Sequence, residues 1–463
     1  MMTLQLTAPF RSAELDWTCA VIFETFLGIP YQIAVGTEQD IVIEHAGRQL
    51  VLPNLFFKAA AMDWLGEGTL PATPLQLWDS RTCALQPNLV DPIIPVIFGA
   101  PSPGHATSIT EEVISIPIDI FGSVFFMLSR YEEAVSKARD VHDRFPESAS
   151  IASAEGYLAR PIVDEYVEIL WSALISLWPS LQRKARRSRN LVSCDVDSPF
   201  DPACSSLYRL GKRLLGRSVR ERSLACISPV IKSYLSVKRG DYSRDPYRAA
   251  IDWIMDMNER NGNHVAFYFI PEKTDLKVDG NVVPLDEPRM SSLLRTIHAR
   301  GHEIGIHPGY NTYKHPAAFA SAVKTLRRAL AEQGIEQDGL GGRQHYLRWQ
   351  TSFTGRLWEE NGLTYDTTMT YADQPGFRCG TCHEYSMYDL SRRSAMKLLQ
   401  RPLIMMEAER YLGVARDRGP LELMLYYKRI CHQFSGNFTL LWHNSYLENA
   451  RLREQYCQIL EQH

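Results

Sequence analysis

Five apolar runs in the second half of this chain end in residues able to hold a metal or move a proton. "LVSCDVD" closes on Asp195 and Asp197, "HEIGIHP" on His307, and "GGRQHY" on Arg343 and His345. "LTYDTT" supplies Asp366, and "TLLWHN" ends in His443 and Asn444. A carboxylate and an imidazole are the donor types that bind a divalent ion. A second carboxylate can take a proton from water whose pKa such an ion lowers. An imidazole across the pocket can protonate a leaving group, and an arginine can orient a carboxylate by a bidentate contact. The chemistry that suits this set is metal-assisted hydrolysis. A lone histidine at a strand end is more often structural; the recurrence over five runs points to a shared site.

Elements that could bring these residues together are written in the pattern around them. From about residue 189, apolar runs alternate with helical segments at the spacing of βα units. "RDPYRAAIDWIMDMNERNG" predicts a helix capped by Asp245, with Pro246 in its first turn and Gly262 after its end. "HVAFYFIP" reads as a buried strand and "EPRMSSLLRTIHARG" as a helix. The strand "HEIGIHP", the helix "HPAAFASAVKTLRRALAEQG" and the short strand "GLGGRQHY" follow. The helix "QTSFTGRLWEENG", the run "LTYDTT", the segment "PLIMME", a helix from about Leu421 and "FTLLWHN" complete the series. Such alternation implies a parallel sheet, as a β/α barrel or a doubly wound sheet. In a barrel the reactive groups sit where strands end and βα loops begin.

The part before residue 189 reads differently. Residues 1–150 hold short strand-like runs, "QIAVG", "DIVIEH" and "IPVIFGA", then the apolar helical stretch "FGSVFFMLSRYEE". They suggest a small mixed α+β domain with no motif for chemistry. Residues 151–188 carry the amphipathic helix "LARPIVDEYVEILWSALISLW" and the basic boundary "LQRKARRSRN", leading into residues 189–463.

Whole-chain totals narrow the class further. The 463 residues suit two or three domains, and 45% hydrophobic with 22% charged content is ordinary for a soluble globular protein. A net charge of −3 gives no reason to expect a nucleic-acid partner. Nine cysteines without framework spacing argue against a disulfide scaffold and for a reducing, cytoplasmic setting. "MMTLQLTAPFRSAELDW" lacks the basic start and apolar run of a signal peptide, and no run of about 18 apolar residues occurs.

The order "CDVDSP", "GHEIGIHPGYNT", "GGRQHYLRW", "DQPGFRCGTCHEY", "LLWHN" resembles the polysaccharide deacetylases of the NodB-homology type, carbohydrate esterase family four. With "FGSVFFMLSRYEE", it resembles a subgroup with an extra N-terminal domain, found with bacterial surface-polysaccharide genes. The resemblance implies a distorted (β/α) barrel preceded by a small α+β domain. It implies removal of an acetyl group, N-acetyl before O-acetyl, from a sugar or polysaccharide precursor, with a divalent ion, zinc first.

Carried over residue by residue, the resemblance makes Asp195 the base, Asp197 and His307 metal ligands, Arg343 the residue that orients the base, and His443 the general acid. Val196 separates two acids that are usually adjacent; both still face one side of a strand, which leaves their two roles interchangeable. The family's second metal imidazole falls at Asn311. There an amide oxygen could ligate a less selective ion, or Asn311 could be a turn residue of "HPGYNT". His345, Trp349, Asp373 and Arg378 are candidate substrate contacts.

"RCGTCH", Cys379 to His383, has the spacing of a haem attachment site but reads better as a loop holding two reduced cysteines. From Arg209 to Arg244, ten Lys or Arg stand against Glu221 and Asp241. As a βα loop, this insertion (residues 209–244) could meet an anionic substrate or a membrane surface; a solvated helix is the plainer reading. Two further readings of the chain remain at this stage. One is a carbohydrate-binding or assembly component without catalysis, and the other is a hydrolase of non-sugar amides.

Overall fold

The computed structural model describes residues 2–99, 107–221, 227–407 and 419–461. The first region is built on six strands: β1 (Leu4–Ala8), β2 (Tyr31–Val35), β3 (Ile41–His45), β4 (Arg48–Leu52), and, after a two-stranded ribbon of β5 (Gln76–Asp79) and β6 (Ile93–Val96), β7 (Ser108–Ile109) and β8 (Val113–Ser115). Their order in the sheet is β2-β1-β3-β4-β8-β7. The helix Ile120–Leu128 is buried at all nine positions, as its almost wholly apolar sequence requires. Asp119 caps it, accepting from the Gly122 amide at 2.8 Å and fastening Leu55 and Phe56 by the same carboxylate. The helix Ile162–Leu177 packs against β4, β8 and this buried helix.

The second sheet has eight strands: β9 (Arg189–Val196), β10 (Val265–Phe269), β11 (Glu303–Ile306), β12 (Gly341–Gly342), β13 (Tyr365–Asp366), β14 (Tyr385–Asp389), β15 (Ser394–Gln400) and β16 (Asn437–Leu441). Their order is β14-β15-β13-β12-β11-β10-β9-β16, and every pairing is parallel except that of β14 with β15. The sheet curls. The chain continuing from β15 bridges Met405 to Leu440 of β16, so the ring is closed by a segment and not by a full strand. The expected helices flank it at Pro246–Arg260, Pro288–Ala299, Pro316–Glu332, Thr354–Glu360 and Pro420–Gln433. Asp245 caps the first of these through the amides of Tyr247 and Arg248, as its sequence predicts.

Side-chain alternation divides this sheet into two faces. Val192, Cys194 and Val196 of β9, with Phe267 and Phe269 of β10, belong to the large core under the helices, while Tyr268 and Tyr365 turn into the ring, their hydroxyls 3.0 Å apart. β12 is two glycines for a steric reason. A Cβ at Gly342 would lie 1.8 Å from the Ile306 carbonyl oxygen, so only glycine lets the strand before Arg343 approach this closely.

Among the described residues, the buried apolar side chains of the two regions belong to one continuous core. Trp17 and Phe125 of the first region meet Tyr388 beside β15, with ring centroids 5.2 Å apart in each case. Arg378, expected to face substrate or to pair with Asp373, is buried instead against Glu133 by two hydrogen bonds of 2.8 Å. Burial drives the Glu133 carboxyl upward, but Arg378 and Arg130 outweigh it and hold the group near about 2. That pair crosses from the first region to the loop of the "RCGTCH" segment.

Candidate functional site

The C-terminal ends of the ring strands converge on a cavity of about 290 Å³ lined by Asp195, Asp197, His307, His345 and His443. Tyr346, Leu347, Met406, Ala372 and Val278 complete its apolar side, and His142 and Arg144 reach it from the first region. On β9, inward alternation aligns Ser193, Asp195 and, one step past the strand, Asp197. Arg343, fully buried, donates from Nη1 to Asp195 Oδ1 at 2.6 Å and from Nη2 to Ser193 Oγ at 2.9 Å. Its Nε donates to the Thr367 carbonyl at 2.9 Å, so the guanidinium is fixed on three sides.

The three histidines share one design. His307 Nδ1 lies 2.6 Å from the Arg343 carbonyl oxygen, His345 Nδ1 2.8 Å from Asp279 Oδ1, and His443 Nδ1 2.9 Å from Glu407 Oε1. Each partner is an acceptor, so each Nδ1 carries the hydrogen and each Nε2 is turned toward the cavity. The three Nε2 atoms converge on one carboxylate. His307 Nε2 is 3.3 Å and His345 Nε2 3.7 Å from Asp197 Oδ1, and His443 Nε2 is 3.9 Å from Asp197 Oδ2.

Asp197 Oδ1 is buried and makes no hydrogen bond among the described residues. A buried carboxylate oxygen without a partner is costly, and a cation among these donors would satisfy it. Asp197, His307 and His345 place ligand atoms within 4.8 Å of one another, a two-imidazole, one-carboxylate set of the type that holds zinc with an open position. The residues present therefore fit a divalent ion.

The protonation states follow from the same contacts. Burial pushes the Asp197 carboxyl up, but His307, His345 and His443 outweigh it and hold the group well below the usual carboxylate range. Burial lowers His307, and the charges of Asp195 and Asp197 raise it above the ordinary histidine value. Burial lowers His443 too, yet Glu407, with Asp197 and Asp195, pushes it up to about 9. Asp279 accepts from His345 and from the Tyr310, Thr274 and Asp275 amides, and is held far below the ordinary value against the cost of burial.

The other sequence candidates lie elsewhere. Asn311 Nδ2 donates to the Thr274 carbonyl at 2.9 Å and its Oδ1 accepts from Arg348, so its amide fastens two loops and is not among the cavity-lining residues. Trp349 is buried against Trp358, and Asp373 is exposed. Asp366 is buried beneath Thr368, and burial pushes it up to about 6. Asn444 donates to the Ser198 carbonyl at 3.0 Å.

Three roles were not assigned from sequence. Arg343 and His345, two residues apart, share a direction, which is the signal that would have placed His345 with the ligands. Glu407 ends "PLIMME" as the other acids end their runs. Asp279 lies in a loop, where no periodicity marks it.

A second group of ligand-type residues, Asp164, Cys382 and His383, is buried beside the helix Ile162–Leu177. Here the carboxylate is already used: Asp164 accepts from Thr381 Oγ1 at 2.6 Å and from the Cys382 amide at 2.9 Å. Burial, followed by the charges of Arg186, Lys184 and Arg189, drives His383 well below the ordinary histidine value.

Among known families, one of unknown function (DUF7033) matches residues 4–179. No curated protein matches the chain. Among solved structures, a candidate polysaccharide deacetylase from Mycobacterium smegmatis aligns over 60% of this chain and 85% of its own, with 14% identity and a TM-score of 0.37. A candidate polysaccharide deacetylase involved in O-antigen biosynthesis, from Bordetella bronchiseptica, aligns over 46% of this chain and 74% of its own, with 17% identity and a TM-score of 0.24.

Proposed function

We propose that this chain is a metal-dependent deacetylase that removes an N-acetyl group from a sugar or polysaccharide precursor. The observation that carries this reading is the orphaned Asp197 oxygen, faced by His307 and His345 and flanked by an Arg-held acid and a Glu-held histidine. A divalent ion held by Asp197, His307 and His345, zinc first, would supply Lewis acidity to an acetyl carbonyl and acidify a water.

Asp195 takes the proton of the attacking water on its Oδ2, the oxygen that Arg343 leaves uncovered. Arg343 fixes the plane of the Asp195 carboxylate, a bidentate-capable cation being suited to that task. His443 holds a proton on Nε2 at neutral pH, because Glu407 pushes its pKa to about 9, and delivers it to the departing nitrogen. An amine leaves only when protonated, so a histidine kept charged at pH 7 favours the N-acetyl over the O-acetyl substrate.

The non-catalytic reading rested on a missing second imidazole, and His345 supplies one. The non-sugar amide reading is separated by substrate. Metal analysis of the purified protein, with acetate release measured on N-acetylated sugars and on linear and cyclic amides, tests all three. We expect one divalent ion per chain, and acetate release from the sugars that Asp195→Asn abolishes without loss of the ion. A protein that binds no divalent ion and releases no acetate would overturn the proposal.

No helix among the described residues is long and apolar enough to cross a membrane. The basic insertion of residues 209–244 forms the helices Leu207–Glu221 and Ile227–Lys238, with Leu207, Tyr208 and Leu215 exposed. Residues 222–226, including Arg222, lie outside those described.

A further inference from the structure

The first region carries no catalytic motif, yet one of its turns forms part of the cavity. His142 and Arg144 line the same space as Asp195, Asp197, His307, His345 and His443. The turn that carries them is fixed at its base and clamped to two ring loops. Asp140 accepts from the amides of His142 and Arg144 at 2.8 and 2.9 Å. Arg348, sandwiched between Tyr310 and Tyr313 at 4.0 Å from each ring, donates to the His142 carbonyl at 2.7 Å. Asp143 accepts from Lys314 at 2.7 Å, and Arg144 Nη1 donates to the Tyr346 carbonyl at 3.1 Å.

What this clamp presents is a row of rings. His142 lies 5.9 Å from Tyr310 and 4.9 Å from Tyr346, and Tyr346 lies 5.0 Å from the metal-ligand candidate His345. Tyr346 and Leu347 both have left-handed backbones, with φ of 61° and 58°, an unfavourable conformation for two successive non-glycine residues. Tyr346 is 40% exposed and lines the cavity rather than being packed away. The cavity is lined as well by the ionic Asp195, Asp197 and His443. A pyranose ring matches this pair of surfaces, with an apolar C–H face for the rings and a polar edge for the charges. At about 290 Å³, the cavity is at the lower end for ligand sites and suits a single ring.

We infer that the turn Asp140–Arg144 completes the substrate site, and that His142 and Tyr346 form an aromatic wall on which the sugar ring bearing the acetamido group rests. This rests on the deacetylase reading of the cavity, and it assigns sugar recognition to a residue supplied by the first region. His142 and Tyr346 are recognition residues that touch the ring, and Arg144 is a positioning residue acting through the Tyr346 carbonyl.

The test compares two substrates with the same bond, an N-acetylglucosamine disaccharide and acetanilide, the second lacking a sugar. In His142→Ala and Tyr346→Ala, KM for the disaccharide should rise at least tenfold while kcat falls far less. The preference for disaccharide over acetanilide should drop by the same factor. His142→Phe, which keeps a ring, should recover most of that preference, and zinc content should match wild type in each variant. A disaccharide preference that survives both alanine changes overturns the inference. If wild type cleaves neither substrate, the deacetylase reading fails, and binding of N-acetylglucosamine by saturation-transfer NMR still decides the wall. Binding that His142→Ala abolishes supports it, and no binding to wild type overturns it.

Discussion

Two groups in this molecule contain the residue types that hold metals, and they differ in what their atoms are already doing. Around Asp197, each histidine has its Nδ1 tied to an acceptor and its Nε2 turned inward, and one buried carboxylate oxygen accepts no hydrogen bond among the described residues. Around Asp164, the carboxylate is satisfied by Thr381 and Cys382, and arginines and a lysine surround the histidine. The first group is anionic and unfinished; the second is finished and cationic. The contrast shows that ligand-type composition does not define a metal site. Unspent lone pairs and local charge do.

The comparison breaks most sharply at His345. His345→Ala should cost more than about 100-fold in zinc affinity, beyond the effect of losing an outer partner of a metal ligand, while Asp164→Asn should leave zinc content as in wild type. Competition with a chelating dye reads both, and zinc loss in Asp164→Asn would put the ion in the wrong group.

Asp279→Asn keeps the size of the side chain but weakens its hold on His345 Nδ1, and should cost roughly 10- to 100-fold in the same assay.

The smallest effect concerns pH. His443 is raised to about 9 by Glu407, so its proton is present below that value and lost as pH rises through it. The alkaline limb of kcat should therefore fall near pH 9 in wild type. Glu407→Gln should move it down by about one unit or more, the equivalent of about 1.4 kcal/mol per unit. A limb that stays in place would remove His443 as the acid.

Much of the second region was legible in the sequence because several ring strands are short apolar runs closed by a polar residue, and four of the five flanking helices open on a proline. Strand-end position alone grouped Asp195, Asp197, His307, Arg343, His345 and His443, but with them Asp366 and Asn444, which lie outside the cavity lining. β14 and β15 were not foreseen; their faces are split between barrel and first region, so "YSMYD" and "SAMKLLQ" show no clean period. Asn311 was singled out by its distance from His307, but local spacing along one loop cannot reveal that a neighbouring strand supplies the imidazole. Arg378 was read as a candidate substrate contact because its partner, Glu133, lies 245 residues away in sequence.

That last contact has a consequence for how the chain can be cut. Glu133 is fully enclosed between Arg130 and Arg378, and the latter belongs to the segment leading into β14. Expressing the ring alone, from residue 189, would leave the Arg378 guanidinium without its carboxylate partner and strip Tyr385 and Tyr388 of the rings that cover them. The half from residue 189 is therefore not a portable module. Grafting, trimming or recombining this protein has to treat its strand ring and its motif-free first region as one inheritable piece.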